Sequence, residues 1–155
     1  MTWPTEAECP KFFGKKGENQ TQIVLPYPMV LDWNKATRIT KLTCHEKVAD
    51  AMLRVFTKLK GEYGEAKLHE LGIDQFGGCL NVRLKRGSKS EWSMHSWGIA
   101  CDLDPDRNQL RETSKTARFA RPEYDPMWKI IEGEGAVSYG RLRNFDWMHW
   151  GFARP

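Results

Sequence analysis

His95-Ser-Trp-Gly-Ile-Ala-Cys-Asp-Leu103 is the stretch from which the fold is read. Gly98 to Leu103 reads as a buried strand: side chains alternate, so Ile99, Cys101 and Leu103 share one face and Ala100 and Asp102 the other. The apolar face enters the core, which leaves Asp102 aimed into a cleft. His95 lies ahead of Gly98 on the turn into this strand. The spacing is not that of a helical pair; it lets the chain bend back and bring His95 beside Asp102.

A second stretch, Asp146-Trp-Met-His-Trp-Gly-Phe152, supplies the complement. A strand here puts Trp147, His149 and Gly151 on one side and Met148, Trp150 and Phe152 on the other. Asp146 and His149 are an odd number of residues apart, which sends them to opposite faces of a regular strand. Asp146 is therefore expected in a turn or irregular residue before pairing begins, from which it can curl toward His149.

Two imidazoles, a carboxylate and a spare acid are the parts of a catalytic metal site. A catalytic zinc ion takes three protein ligands at roughly 2.0–2.2 Å and keeps a fourth position open. His95, Asp102 and His149 fill the ligand roles for one zinc ion, and Asp146 is left as a general base, worth about 10² to 10⁴ in rate. Singly, each of these residues reads as surface or turn chemistry; the joint spacing carries the metal reading.

With these residues in hand, the chain resembles the zinc D-Ala-D-Ala carboxypeptidase and L-Ala-D-Glu endopeptidase family, whose fold is shared with the Hedgehog signalling domain. The resemblance rests on Ser93-Met-His95, Trp97-Gly98, Ala100-Cys-Asp102 and Asp146-Trp-Met-His149, and extends upstream to Gly77-Gly-Cys-Leu-Asn-Val-Arg83. From about Pro26 onward the chain is similar to phage lysis enzymes. The resemblance implies zinc on His95, Asp102 and His149, Asp146 as catalytic base, Arg83 holding the substrate or the developing oxyanion, and Ser93 as a nearby hydrogen-bond donor. A fixed guanidinium suits the Arg83 role, since it can grip a carboxylate in two places or balance a tetrahedral oxyanion. Without the family, Arg83 reads equally well as an exposed arginine of the basic run Arg83-Leu-Lys-Arg86. Several relatives use Glu as the base; Asp146 is one methylene shorter, which requires the backbone to approach the metal more closely.

The 155 residues read as a single zinc peptidase domain, 1–155, able to bury a core without staples, with 1–25 as a loosely packed N-terminal segment. Met1-Thr-Trp-Pro-Thr-Glu has neither a basic nor an apolar leader region, and no stretch approaches eighteen apolar residues. The expectation is a monomer made in the cytoplasm without stable membrane insertion, reaching the cell wall after release by a separate holin-like protein. The four cysteines, Cys9, Cys44, Cys79 and Cys101, show no Cys-x-x-Cys pair and read as reduced thiols.

Thr43 reads as a helix N-cap with Glu46 completing a capping box. Val48, Met52, Val55, Phe56 and Leu59 then form one apolar stripe, and Gly61 is the stop. Cys44 would sit at that helix N-terminus beside His45, where a reactive thiolate is conceivable, although no third group orients it. A short helix is expected after Asp125-Pro126, carrying Met127, Trp128, Ile130 and Ile131. Asn19–Trp33, Leu80–Leu84, Gly98–Leu103 and Trp147–Phe152 carry the extended character, and Asp104–Tyr124 a long polar loop beside the site. This order gives an α+β fold, a small, mainly antiparallel sheet backed by helices.

The leading expectation is an endolysin-type zinc peptidase that cuts the peptidoglycan stem peptide at L-Ala-D-Glu. A D-Ala-D-Ala carboxypeptidase with the same metal site and a non-catalytic zinc-containing binding module stand beside it. The net charge of +4 favours approach to an anionic wall. Other metal chemistries fit poorly. A calcium loop at Asp102-Leu-Asp-Pro-Asp106 would need glycine where Arg107 stands, and a non-haem iron site would need a His-x-Asp pair. Nucleic acid is excluded as a partner by the lack of any recognised motif or long basic stripe.

Overall fold

In the computed structural model, which describes residues 2–155, the centre is a six-stranded sheet in the order β2-β1-β3-β4-β6-β5. The strands are β1 (Gln20–Leu31), β2 (Asn34–His45), β3 (Gln75–Gly78), β4 (Ala100–Leu103), β5 (Val137–Ser138) and β6 (His149–Gly151). Every neighbouring pair is antiparallel except β1–β3. The helices are α1 (Cys9–Phe13), α2 (Ala49–Tyr63), α3 (Glu65–Leu71), α4 (Asp125–Gly133) and α5 (Tyr139–Arg143). This is the α+β architecture of a mainly antiparallel sheet with helical backing.

The long hairpin β1–β2 departs from the sequence reading. Thr43, Cys44 and His45 pair with Gln22, Thr21 and Gln20, so Thr43 is a strand residue and not an N-cap. The burial of Leu42, Cys44 and His45, with Thr43 half-buried between them, together with a partner strand, overrides the local capping signal. The helix is capped five residues after Thr43, at Val48, and runs past Gly61 to end at Gly64, whose φ of 75° needs no side chain. Cys44 is consequently a buried strand residue. Burial pushes its thiol up to about 12, the opposite of an activated nucleophile.

The apolar stripe itself is as read: Val48, Met52, Val55, Phe56 and Leu59 are buried, and α2 lies across β1. Each such side chain contributes on the order of 1.5–3 kcal/mol by leaving water. Phe56 meets Trp150 of β6 edge to face, with ring centroids 6.0 Å apart, so the helix packs directly behind the strand that carries His149. Helix α4 forms over Asp125–Gly133 with Pro126 in its first turn and Met127, Trp128 and Ile131 buried.

Residues 3–13 correct the expectation of a loose N-terminal segment. Trp3, Cys9 and Phe13 are core residues. The Trp3 indole stands edge-on to Phe152 and donates its N–H to the Glu134 carbonyl at 3.0 Å, while Glu6 N donates to Arg154 O at 2.8 Å. A single tryptophan can bury roughly 150–250 Å², and its N–H requires a partner once covered. The apolar residues of this stretch show no helical or strand period, which is why its packing was illegible in sequence.

Leu80–Leu84 is likewise not a strand; among the described residues its one ladder contact is an isolated bridge between Leu84 and Trp92. The strand at this point of the sheet is β3, immediately upstream. All four cysteines are free and buried.

Candidate metal centre

Three elements converge on one cleft of about 340 Å³. His95 sits in a short 3-10 turn, Met94–Trp97, whose N-cap Ser93 accepts the His95 backbone N–H on its hydroxyl at 3.2 Å. Gly98 closes the turn with φ 67° and the chain enters β4. Asp102 lies within β4, and His149 opens β6 directly opposite it. The close approach of these strands requires Gly151, where a Cβ would come within 3.0 Å of Ala100.

The ligand atoms of His95, Asp102 and His149 all lie within 4.8 Å of one another. His95 Nε2 stands 3.1 Å from Asp102 Oδ2, and His149 Nδ1 stands 3.4 Å from Asp102 Oδ1. Yet His95 Nε2 and Asp102 Oδ1 are buried without a hydrogen-bond partner. Buried polar atoms are almost always paired, so these two orphaned atoms in a cluster of three ligand side chains are what a shared cation could satisfy. His95 Nδ1 lies 2.8 Å from the Cys79 carbonyl. Donating Nδ1–H there leaves the Nε2 lone pair for a metal, a support that metal-binding histidines commonly have. The donor set of two nitrogens and one carboxylate suits zinc with an open position.

The electrostatics are those of mutual dependence. Burial pushes the Asp102 carboxyl up, but the facing imidazoles of His95 and His149 outweigh it and hold the group well below the usual carboxylate range. Burial pulls His95 down, and the Asp102 charge more than reverses this.

Asp146 lines the same cleft. Its backbone is left-handed, φ 55°, its N–H is tied to the Leu110 carbonyl at 2.8 Å, and its own carbonyl accepts from His149 N at 3.1 Å. The tight turn resolves the parity problem seen in the sequence: Asp146 faces the histidines because it precedes β6 and is outside the pleat. Burial pushes its carboxyl above the ordinary value, against the pull of His149. Leu110 brings the 104–124 segment into the cleft wall. That segment is less open than its polarity implied, with Asn108, Ala117, Phe119 and Tyr124 buried.

Arg83 also lines the cleft. Its backbone is clamped by Ser96, whose hydroxyl accepts from Arg83 N at 3.1 Å and donates to Arg83 O at 3.0 Å. Ser93 N adds a bond to the same carbonyl at 3.0 Å. Among the described residues, only the Leu84 carbonyl, 3.2 Å away, engages the guanidinium. Ser93 is at the cleft wall, with its oxygen committed to the His95 backbone and its O–H free to donate.

Sequence reasoning missed the residues that support His149. The Tyr139 ring stacks on the imidazole, with centroids 4.1 Å apart and planes at 25°. The phenol donates to Glu6 Oε2, and Lys85 donates to Glu6 Oε1 at 2.7 Å. Burial drives the Tyr139 hydroxyl upward, with Glu6 adding to it, so it stays a donor. Burial also acts on Glu6, but the bonds from Lys85 and Tyr139 prevail and keep it ionised. No spacing connects Glu6 with Tyr139 in the sequence; only the fold brings them together.

Residues 86–151 match a family model described as D-alanyl-D-alanine carboxypeptidase, a span that takes in less than half of the chain. It includes Ser93, His95, Asp102, Asp146 and His149 and stops short of Arg83 and Glu6. No curated protein and no solved structure matches the chain significantly. The family match and the three-residue cluster together support a zinc metallopeptidase.

Proposed function

We propose that this protein is a zinc peptidase that hydrolyses a peptide bond of the peptidoglycan stem, at L-Ala-D-Glu, in the manner of an endolysin. The observation that carries the reading is the convergence of His95, Asp102 and His149 with Asp146 in a single cleft. His95, Asp102 and His149 would hold the ion. When bound, zinc would act as a Lewis acid on the scissile carbonyl and lower the pKa of water from about 15.7 toward roughly 7.

The chain's own groups account for the rest. Asp146, partly buried and raised in pKa, is suited to accept the proton of the attacking water and return it to the amine nitrogen as the C–N bond breaks. Arg83, with its backbone pinned at both N–H and carbonyl, would offer a fixed guanidinium to the oxyanion or to a substrate carboxylate. Cys79 and Tyr139 orient the two histidines from behind. A purely structural zinc module has no use for a half-buried acid without an ion pair in the same cleft, so Asp146 favours catalysis over that alternative.

The description of the matching family favours a second reading, a D-Ala-D-Ala carboxypeptidase with the same site. Mass spectrometry of muropeptides after incubation with the purified protein separates the two. Release of the stem from L-Ala supports the endopeptidase, and loss of terminal D-Ala alone supports the carboxypeptidase. Intact muropeptides at saturating zinc, with the protein folded, would exclude both. Asp146→Ala is expected to lower turnover by at least about 10²-fold while zinc stays bound; full activity in that variant would remove Asp146 from the mechanism.

A further inference from the structure

Four cations border the cleft, Arg83, Lys85, Arg86 and Arg143, and they are not equivalent. Lys85 is neutralised by Glu6 at 2.7 Å. Among the described residues, Arg83, Arg86 and Arg143 form no ion pair. Arg141, two positions before Arg143 in the same short helix, is by contrast bound to Glu132 at 2.7 Å.

Arg143 is also held in place. Its guanidinium carbon lies 4.9 Å from the Tyr139 ring centroid and 6.0 Å from that of Phe145. Contacts of this kind favour a guanidinium lying over the rings and leave N–H groups available. Tyr139 is the ring stacked on His149, so Arg143 is separated from a metal-site imidazole by one aromatic ring. Arg143 lines the same cleft as His95, Asp102 and His149, so a carboxylate on a residue bordering the scissile bond can meet it there.

We propose that Arg143 is a specificity-determining residue which selects peptides carrying a free carboxylate next to the cleaved bond. The inference rests on the peptidase reading above and adds the substrate chemistry. In a γ-linked D-Glu the backbone runs through the side-chain carboxyl, so the α-carboxylate stays free and lies beside the L-Ala-D-Glu bond. A planar fork is matched to that group, and amidation of the carboxylate removes both the charge and one acceptor. Arg86 adds positive charge to the same cleft; Glu91 and Asp146 oppose it, Asp102 is occupied by the histidines, and Glu6, already paired with Lys85, lies close enough to Arg143 to feel its charge.

The test compares a synthetic stem peptide with a free D-Glu α-carboxylate and the same peptide amidated there. With the zinc-loaded wild-type protein, amidation is expected to lower kcat/KM at least tenfold, chiefly through KM. Arg143→Gln is expected to bring the two substrates within about twofold of each other, chiefly by raising KM for the carboxylate form, and Arg143→Lys to recover part of the preference. Equal rates on both peptides in the wild type, or an equal loss on both in Arg143→Gln, would overturn the proposal. Should neither peptide be cut, the peptidase assignment at this bond fails, and calorimetric binding of the two peptides decides the inference independently. Tighter binding of the carboxylate form that vanishes in Arg143→Gln supports it; indistinguishable affinities refute it.

Discussion

Asp102 and His149 stand opposite each other across the β4–β6 ladder, a direct cross-strand pair. Two of the three prospective ligands thus depend on one strand register, and a slip by a single residue would turn one of them to the other face. Ala100 against Gly151 and Cys101 against Trp150 fix that register, the second from within the core. The site is therefore as rigid as the centre of the sheet.

Because the ion would bind only the folded chain, chelation should lower thermal stability. At free zinc 100-fold above Kd the ion adds about 2.7 kcal/mol, which for a domain of this size corresponds to roughly 5–10 °C in Tm. Differential scanning calorimetry with and without chelator should register that drop in the wild type and a much smaller one in His149→Ala. An unchanged Tm would speak against a specific site.

Tyr139 supports His149 by stacking and is itself tethered to Glu6. Groups that orient a metal ligand are commonly worth 10–100-fold in affinity. Tyr139→Ala should weaken zinc binding about tenfold in competition titrations and Tyr139→Phe by less than about threefold, since the ring survives. Identical affinity in Tyr139→Ala would show that the stack is incidental.

Glu134 accepts Lys58 at 2.8 Å and Arg54 at 2.7 Å, joining the end of α4 to α2. The Lys58 bond, opposed by some desolvation and reinforced by Arg54, holds its carboxyl below the ordinary value. A carboxylate with a depressed folded pKa stabilises the protein above its unfolded pKa, and that contribution disappears as pH falls through the folded value. Urea unfolding should accordingly find Glu134→Gln destabilised by about 1 kcal/mol at pH 7, since both partners are half exposed. The difference should close in acid, below about pH 4. A penalty that persists there would assign the effect to packing.

Gly140 faces the Trp147 indole so closely that a Cβ would lie 2.2 Å from the ring. Trp147 is buried, and its N–H is held by Asn144 at 3.2 Å, so the ring has little freedom to retreat. Gly140→Ala should cost about 1–3 kcal/mol by overpacking, measurable in chemical denaturation. A neutral substitution would mean that α5 shifts easily.

The convergence of His95, Asp102 and His149, with Asp146 in the same cleft, was legible because the spacing is local to two strands: the period of two around Asp102 and the odd offset at Asp146 both report on side-chain direction. The capping signal at Thr43 failed because strand pairing with Gln22 lies outside any local window. Strand β3, four residues containing two glycines, has no pattern to read. Glu6 and Tyr139 were hidden for a different reason, since a hydrogen bond between distant segments leaves no periodic trace in either.

Anomalous scattering at the zinc edge from crystals grown with one equivalent of the metal tests the central claim most directly. The account predicts one ion bonded to His95, Asp102 and His149, with Asp146 in the same cleft outside the coordination sphere. A zinc peak elsewhere on the molecule, or none at these three side chains, would contradict it.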